Sequence, residues 1–278
     1  MIERVTSGID WISCTLGKED YYYHQWRTNA YIALASVADE GYQLKPRRLL
    51  GYEGHSAGNC FVGENEYGSF AQFTGEKADR VFDRIYYPGA HISRLDLQVT
   101  VKRDKMDIAE GRRSYREAMR ANALLPDGRR RKLWFIEGSD GGYTAYVGSA
   151  SSEERARIYN KEVQSEDIEY NRCWRYEVML RNDASTRTGR QIATNDVQRT
   201  DFIVSLVSTW LHKRGISIRG LAHSPISPIP IERTLPTDVE TKLRWLKEQV
   251  APTIRYLTEL GMRELVLDTL GLSDVQET

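Results

Sequence analysis

Cysteine is scarce in this chain and nowhere paired. Cys14, Cys60 and Cys173 lie far apart with no Cys-x-x-Cys spacing, which excludes a disulfide scaffold and reads as reduced thiols of a cytoplasmic protein. Long apolar runs are missing as well. None approaches a membrane span, and no basic stretch followed by an apolar core stands at the N-terminus, so neither insertion nor secretion is expected. The formal net charge is zero, which excludes a polycation that holds nucleic acid by bulk charge. Five histidines, His24, His55, His91, His212 and His223, are scattered without His-x-His or His-Glu-x-x-His spacing, so no zinc site is read from them. The glycines around His55 lack the Gly-Lys-Ser/Thr ending of a phosphate loop, and no Gly-x-Ser-x-Gly elbow occurs. Fixed-period repeats are absent too.

What is present is an ordinary globular composition: 278 residues, 40% apolar and 28% charged, enough for one large core or two small ones. Residues 8–16 alternate as a strand, and 20–40 read as a helix with an aromatic start. The runs 49–52, 59–63 and 69–74 suit short strands, followed by a helix over 78–85. Residues 92–101 form a strong strand and 107–120 a helix. A turn follows at 126–128, and 133–137 pairs with 143–148 as a hairpin across a Gly-rich turn. Residues 155–161 follow, then a further strand at 173–181. Long helical patterns cover 197–214, 238–260 and 262–270, separated by a proline-stiffened connector at 224–236. The expected plan is α+β on an antiparallel sheet, unlike a βαβ repeat. Three parts are expected: a smaller N-terminal sheet unit over 1–90, a core over 91–190, and a helical region over 191–278.

Chemistry concentrates in the second part. In Arg94-Leu-Asp-Leu-Gln-Val-Thr100, alternate residues share a face, so Asp96 and Gln98 point together while Leu95, Leu97 and Val99 turn to the core. Glu177, in Arg175-Tyr-Glu-Val-Met-Leu180, supplies a third oxygen from a neighbouring strand. Such oxygens suit Mg²⁺ or Mn²⁺; equally, they are acids paired with Arg94 and Arg175. Tyr159, in Arg157-Ile-Tyr-Asn-Lys161, is a candidate nucleophile toward a phosphodiester, with Lys161 or Arg157 to stabilise charge or handle its proton. The chain holds 16 tyrosines, and Tyr143 and Tyr146 compete for that role. From Lys102 to Lys132 there are 11 basic and 5 acidic residues, a surplus of 6, ending in Arg129, Arg130, Arg131 and Lys132. That run is a candidate DNA-binding patch or a solvated face. Tyr21, Tyr22, Tyr23 and Trp26 either stack on unpaired bases or build a core helix.

These segments, in this order, resemble the replication initiation factor family, which holds rolling-circle initiators of small plasmids and filamentous phages and related relaxases. The resemblance is carried by Gly8-Ile-Asp-Trp-Ile-Ser-Cys-Thr-Leu16, Arg94–Thr100, Tyr146-Val-Gly-Ser149, Arg157–Lys161, Trp174-Arg-Tyr-Glu177 and Leu243-Arg-Trp-Leu-Lys-Glu-Gln-Val-Ala-Pro252. It implies an antiparallel sheet related to the HUH endonucleases and a divalent metal, Mg²⁺ or Mn²⁺. A tyrosine would nick one strand at an origin, stay linked to its 5′ end and later rejoin strands. By motif, Tyr159 is the nucleophile and Asp96 and Glu177 are metal ligands. Gln98 stands where HUH proteins place the second ligand of their strand motif, and a neutral amide there binds metal more weakly than an acid or imidazole. Thr100, where some relatives are more acidic, is a further departure. Origin DNA, double-stranded and locally single-stranded, is the implied partner, with a host helicase and a homodimer as further candidates. The alternatives are a catalytically silent origin-binding protein and a hydrolytic nuclease without a covalent step.

Overall fold

Ten strands and a set of short helices make up the computed structural model, which describes residues 2–105, 109–120, 132–139, 141–165, 167–221, 246 and 250–269. β1 (Ile2–Gly17) leads into α1 (Tyr23–Ala38). Four short strands follow, β2 (Lys45–Leu49), β3 (Tyr52–Ala57), β4 (Cys60–Glu64) and β5 (Gly68–Thr74), and then α2 (Glu76–Ile85). The sequence then repeats this order. β6 (His91–Arg103) leads into α3 (Ala109–Arg120), β7 (Leu133–Glu137), β8 (Tyr143–Val147), β9 (Glu154–Asn160) and a short α4 (Lys161–Gln164). A 3-10 turn (Ile168–Tyr170) then leads to β10 (Cys173–Arg181) and α5 (Asn182–Thr194), and α6 (Arg199–His212) follows.

All ten strands belong to one antiparallel sheet, in the order β2-β3-β4-β5-β1-β6-β10-β9-β8-β7. Read outward from the central β1–β6 pair, each half carries a long strand, a final strand and a three-strand meander. The halves are therefore related by a pseudo-two-fold axis between β1 and β6. The N-terminal strands, expected as a second and smaller sheet, instead continue the first through that pair. The register runs from Ile2 opposite Arg103 to Thr15 opposite His91. Such pairing joins residues far apart in sequence, which local pattern does not reveal.

One sheet face holds the core. Leu95, Leu97, Val99 and Val101 of β6 join Ile9, Ile12, Val62, Phe73, Ile158, Tyr176 and Val178 with Leu34 of α1, Phe82 of α2, Ile192 of α5 and Ile203 of α6. Alternation then forces the other residues of β6, β9 and β10 onto the opposite face. In α1, Tyr23, Trp26, Ala30, Ala33, Leu34 and Val37 are buried at helical spacing, and the Trp26 indole donates to the Ile85 carbonyl at 2.7 Å. Tyr23 and Trp26 are thus core, while Tyr21 and Tyr22 are exposed. α3 is fixed to the sheet by Glu110, fully buried, which pairs with Arg103 and accepts from the Tyr176 hydroxyl.

Two local readings change. Residues 49–52 do not form a strand. Leu50 and Gly51 have φ of 52° and 81° and make the tight turn between β2 and β3, which is where glycine is cheapest. The helical pattern at 197–214 is α6, but α5 before it has no apolar stripe; it packs on β6 through Ala184, Ser185, Thr188, Gly189 and Ile192.

The chain divides into two compact units, residues 1–229 and 230–278. In the second, the described residues form α7 (Ala251–Glu259) and α8 (Arg263–Thr269). The connector 224–236, the turn 126–128 and most of the expected helix before residue 250 lie outside the described residues. Among the described residues no helix is long and apolar enough to cross a membrane.

Candidate active site

The open sheet face is built from cross-strand rows. Gln98 of β6 lies opposite Glu177 of β10, and Glu177 opposite Arg157 of β9. One step along, Thr100 faces Arg175 and Arg175 faces Tyr159; one step the other way, Asp96 faces Met179 and Met179 faces Arg155. Directly opposite side chains stand about 5 Å apart and diagonal ones about 7–8 Å. Asp96, Gln98, Glu177, Arg157 and Tyr159 are therefore gathered on one patch, as the alternation in the sequence implies.

Every acid in the patch is matched by an arginine. Arg94 grips Asp96 with two contacts at 3.0 and 2.6 Å. Arg157 places two N–H groups on Glu177 Oε2 at 3.0 and 2.7 Å, and the Tyr159 hydroxyl donates to Glu177 Oε1. Arg175 donates to Asp10 at 3.0 Å and to the Thr100 hydroxyl at 2.8 Å. Thr100 in turn donates to Gln98 Oε1 at 2.7 Å. Arg175 is thus the partner of Asp10 rather than of the nearer-in-sequence Glu177.

Asp10 is the member that sequence reasoning missed. The β1–β6 register slips between Ile9 and Trp11, and this bulge brings both Asp10 and Trp11 to the open face, where Arg94 lies over the Trp11 ring at 4.0 Å. Parity counting along a regular strand does not register a bulge. The Ile9 N–H that the irregular edge leaves is taken by Asp79 of α2 at 3.1 Å.

Burial sets the electrostatics. Asp96, Glu177 and Tyr159 are 2%, 0% and 1% exposed. Burial pushes the Asp96 carboxyl up, with Arg94 opposing. It pushes Glu177 up in the same way, with Arg157 opposing and Asp10 adding to the rise. Burial and then the Glu177 carboxylate drive the Tyr159 phenol far above its ordinary range, so at neutral pH it is a hydroxyl with an acceptor in place. Burial, then Arg175, lowers Lys161. Lys161 opens α4 directly after β9, with its ammonium 6.0 Å from the Tyr159 ring and 5.2 Å from the Tyr170 ring.

The competing tyrosines separate cleanly. Tyr143 is buried in the core on the helix side. Tyr146 lies on the open face opposite Arg157, beside Arg155 and with no carboxylate on its hydroxyl among the described residues. Of the basic run, Lys132 is exposed just before β7; Arg129, Arg130 and Arg131 lie outside the described residues. Cys14, Cys60 and Cys173 are free and buried. Among the described residues no three His, Cys, Asp or Glu side chains gather into a ready-made metal cage.

No curated protein matches this chain. Among solved structures, the rolling circle replication initiator protein from Geobacillus stearothermophilus has a similar fold, with a TM-score of 0.53 and 19% identity over 76% of this chain and 85% of that one. Residues 90–212, which run from the start of β6 to the end of α6 and carry Asp96, Gln98, Tyr159 and Glu177, match the model of the replication initiation factor family.

Proposed function

We propose that this protein initiates rolling-circle replication by nicking one DNA strand with Tyr159. The observation that carries the reading is the hydrogen bond from the Tyr159 hydroxyl to Glu177, on the same face as Asp96 and Gln98 and within the segment that matches the initiation factors. As the phenol oxygen bonds to phosphorus, its proton passes to Glu177. The bond from phosphorus to the 3′ oxygen breaks, and the departing 3′ oxygen takes up a proton to leave a free 3′-OH. The product is a 5′-phosphotyrosine, which keeps the bond energy for rejoining. Arg157 and Lys161 flank the ring and stabilise the negative charge that develops on the phosphoryl oxygens.

Asp96 and Glu177, with the Gln98 amide oxygen, are the residues that would hold Mg²⁺ or Mn²⁺. Their chemistry fits: Mg²⁺ is held through one or two carboxylates with the rest of its shell left to water and phosphate. The arginines on Asp96 and Glu177 indicate that these oxygens already attract positive charge. A bound cation supplies polarisation of the scissile phosphate.

The test is to incubate the protein with Mn²⁺ and random single-stranded DNA fragments, then sequence what becomes covalently attached. Wild type is expected to form an adduct at a defined sequence and Tyr159→Phe none, with DNA binding retained. An unchanged adduct in Tyr159→Phe overturns the assignment and moves it to Tyr146. Full cleavage by wild type in excess chelator removes the metal. A second reading, origin binding without nicking, is favoured by the burial of Tyr159 and by the engagement of the Gln98 oxygen with Thr100. Duplex binding with no adduct on any substrate would select it.

A further inference from the structure

We infer that Arg155 is a docking point for a backbone phosphate of single-stranded DNA, separate from the nicking residues and resting on the nicking reading for the identity of the strand. Arg155 sits on β9 on the same face as Arg157 and Tyr159. Three arginines of that face are each held by a carboxylate: Arg94 by Asp96 at 2.6 Å, Arg157 by Glu177 at 2.7 Å and Arg175 by Asp10 at 3.0 Å. Arg155 has no such partner among the described residues. Its Nε donates only to the Met179 sulfur, at 3.4 Å, and its guanidinium lies 5.4 Å from the centre of the Tyr146 ring.

The surroundings of Arg155 are cationic. Arg181, Arg94 and Arg157 all act against its charge, on top of its partial burial. Among the described residues the Arg181 guanidinium likewise meets no carboxylate and donates to the Ala150 carbonyl, at 3.1 Å. A half-buried guanidinium among like charges is unfavourable unless an anion completes it. A thioether and a ring face satisfy neither the charge nor the N–H fork, whereas a phosphodiester satisfies both through paired N–H···O contacts.

The position suits a strand laid across the site. Arg155 stands on the order of 13 Å along β9 from Tyr159 by strand rise, a span that a nucleic-acid strand covers in about four nucleotides or fewer. Tyr146, beside it on β8, offers a ring face for a base next to that phosphate. Arg155 thus holds the strand to one side of the scissile phosphate, while Arg157, tied to Glu177, stays with the chemistry.

The test measures binding of a fluorescein-labelled oligothymidylate by anisotropy across a salt series, alongside thermal unfolding of the free protein. Arg155→Gln is expected to weaken binding about tenfold and to lower the slope of log K against log salt by about 0.7, the share of one single-strand phosphate contact. Arg155→Lys is expected to keep the slope. Arg155→Met is expected to unfold at the same temperature as wild type or higher, because an uncompensated charge has been removed. An Arg155→Gln slope equal to that of wild type overturns the proposal. So does a lowered unfolding temperature with binding unchanged, which marks a packing role. If wild type forms no adduct, the nicking reading falls, yet the Arg155→Gln slope still decides whether this residue holds a phosphate.

Discussion

Phe70 in the first half of the sheet and Glu177 in the second hold the same place, counted back from the positive-φ residues that turn each final strand into its helix, Gly75 and Asn182. Their neighbours correspond too. Phe70 lies between Thr15 and Gly63, as Glu177 lies between Gln98 and Arg157. Ser13 and Gln72 stand where the second half has Asp96 and Met179, and Phe61 stands where it has Arg155. The first half fills this face with rings, Phe70 stacked on Tyr52 and tilted against Phe61; the second fills it with paired charges. One topology thus serves two ends. Rings there contribute packing alone, whereas charges that balance one another can be redistributed when a ligand arrives.

The largest effect is expected from forcing the second half's chemistry onto the first. Phe70→Glu places a carboxylate in a site 3% exposed with no arginine directly opposite it, its cross-strand neighbours being Thr15 and Gly63. An unpaired buried charge costs several kcal/mol, comparable to the stability of a whole domain. Loss of soluble, folded protein by circular dichroism is expected, and a well-folded variant would show that the ring cluster is not what this half needs.

Glu177→Gln keeps the shape and an acceptor for Tyr159 but removes the charge. It is expected to cost no more than about 2 kcal/mol in urea unfolding, while adduct formation falls by at least about 100-fold. A variant that unfolds as easily as Phe70→Glu would make this carboxylate structural first and chemical second.

The smallest effects distinguish the two strand-to-helix turns. Gly75, at φ 66° and ψ −155°, lies in a region that essentially only glycine visits, so Gly75→Ala should cost about 1–3 kcal/mol. Asn182, at φ 51°, is in the left-handed region that asparagine tolerates, so Asn182→Gly should change stability by less than about 1 kcal/mol. Equal effects at both positions in thermal unfolding would overturn this difference between the two turns.

Cys14 separates burial from charge. Its thiol is pushed up to about 12 by burial alone, so it should resist alkylation of the native protein at pH 8 and react once the chain is unfolded. Because the folded value lies above the unfolded one, the associated stability is intact below the ordinary thiol value of 9.0 and is lost as pH rises toward 12. Rapid native labelling at pH 8 would show that the sheet opens around β1.

Much of the site was legible because strand alternation is a strong local rule. The strand at 173–181 and the shared face of Asp96 and Gln98 follow from a period of two, whereas Tyr159 was set apart from Tyr143 and Tyr146 only by the family resemblance. α5 was not legible: Asn182–Thr194 is rich in small polar residues, and Ser185 and Gly189 bring it close against Ile92 of β6. Asp10 was hidden by a bulge, and the isolation of Arg155 was hidden because partners across strands are not neighbours in sequence.

The sequence by itself determined most of the strands, their faces where the strands are regular, and most of the residues able to do chemistry, since these depend on side-chain type and on spacing within a few residues. Only the tertiary structure decided that the two halves form one sheet, which arginine answers which acid, and that Arg155 answers none among the described residues. Those depend on strand register, a contact between distant segments whose closure is set by the core on the other face.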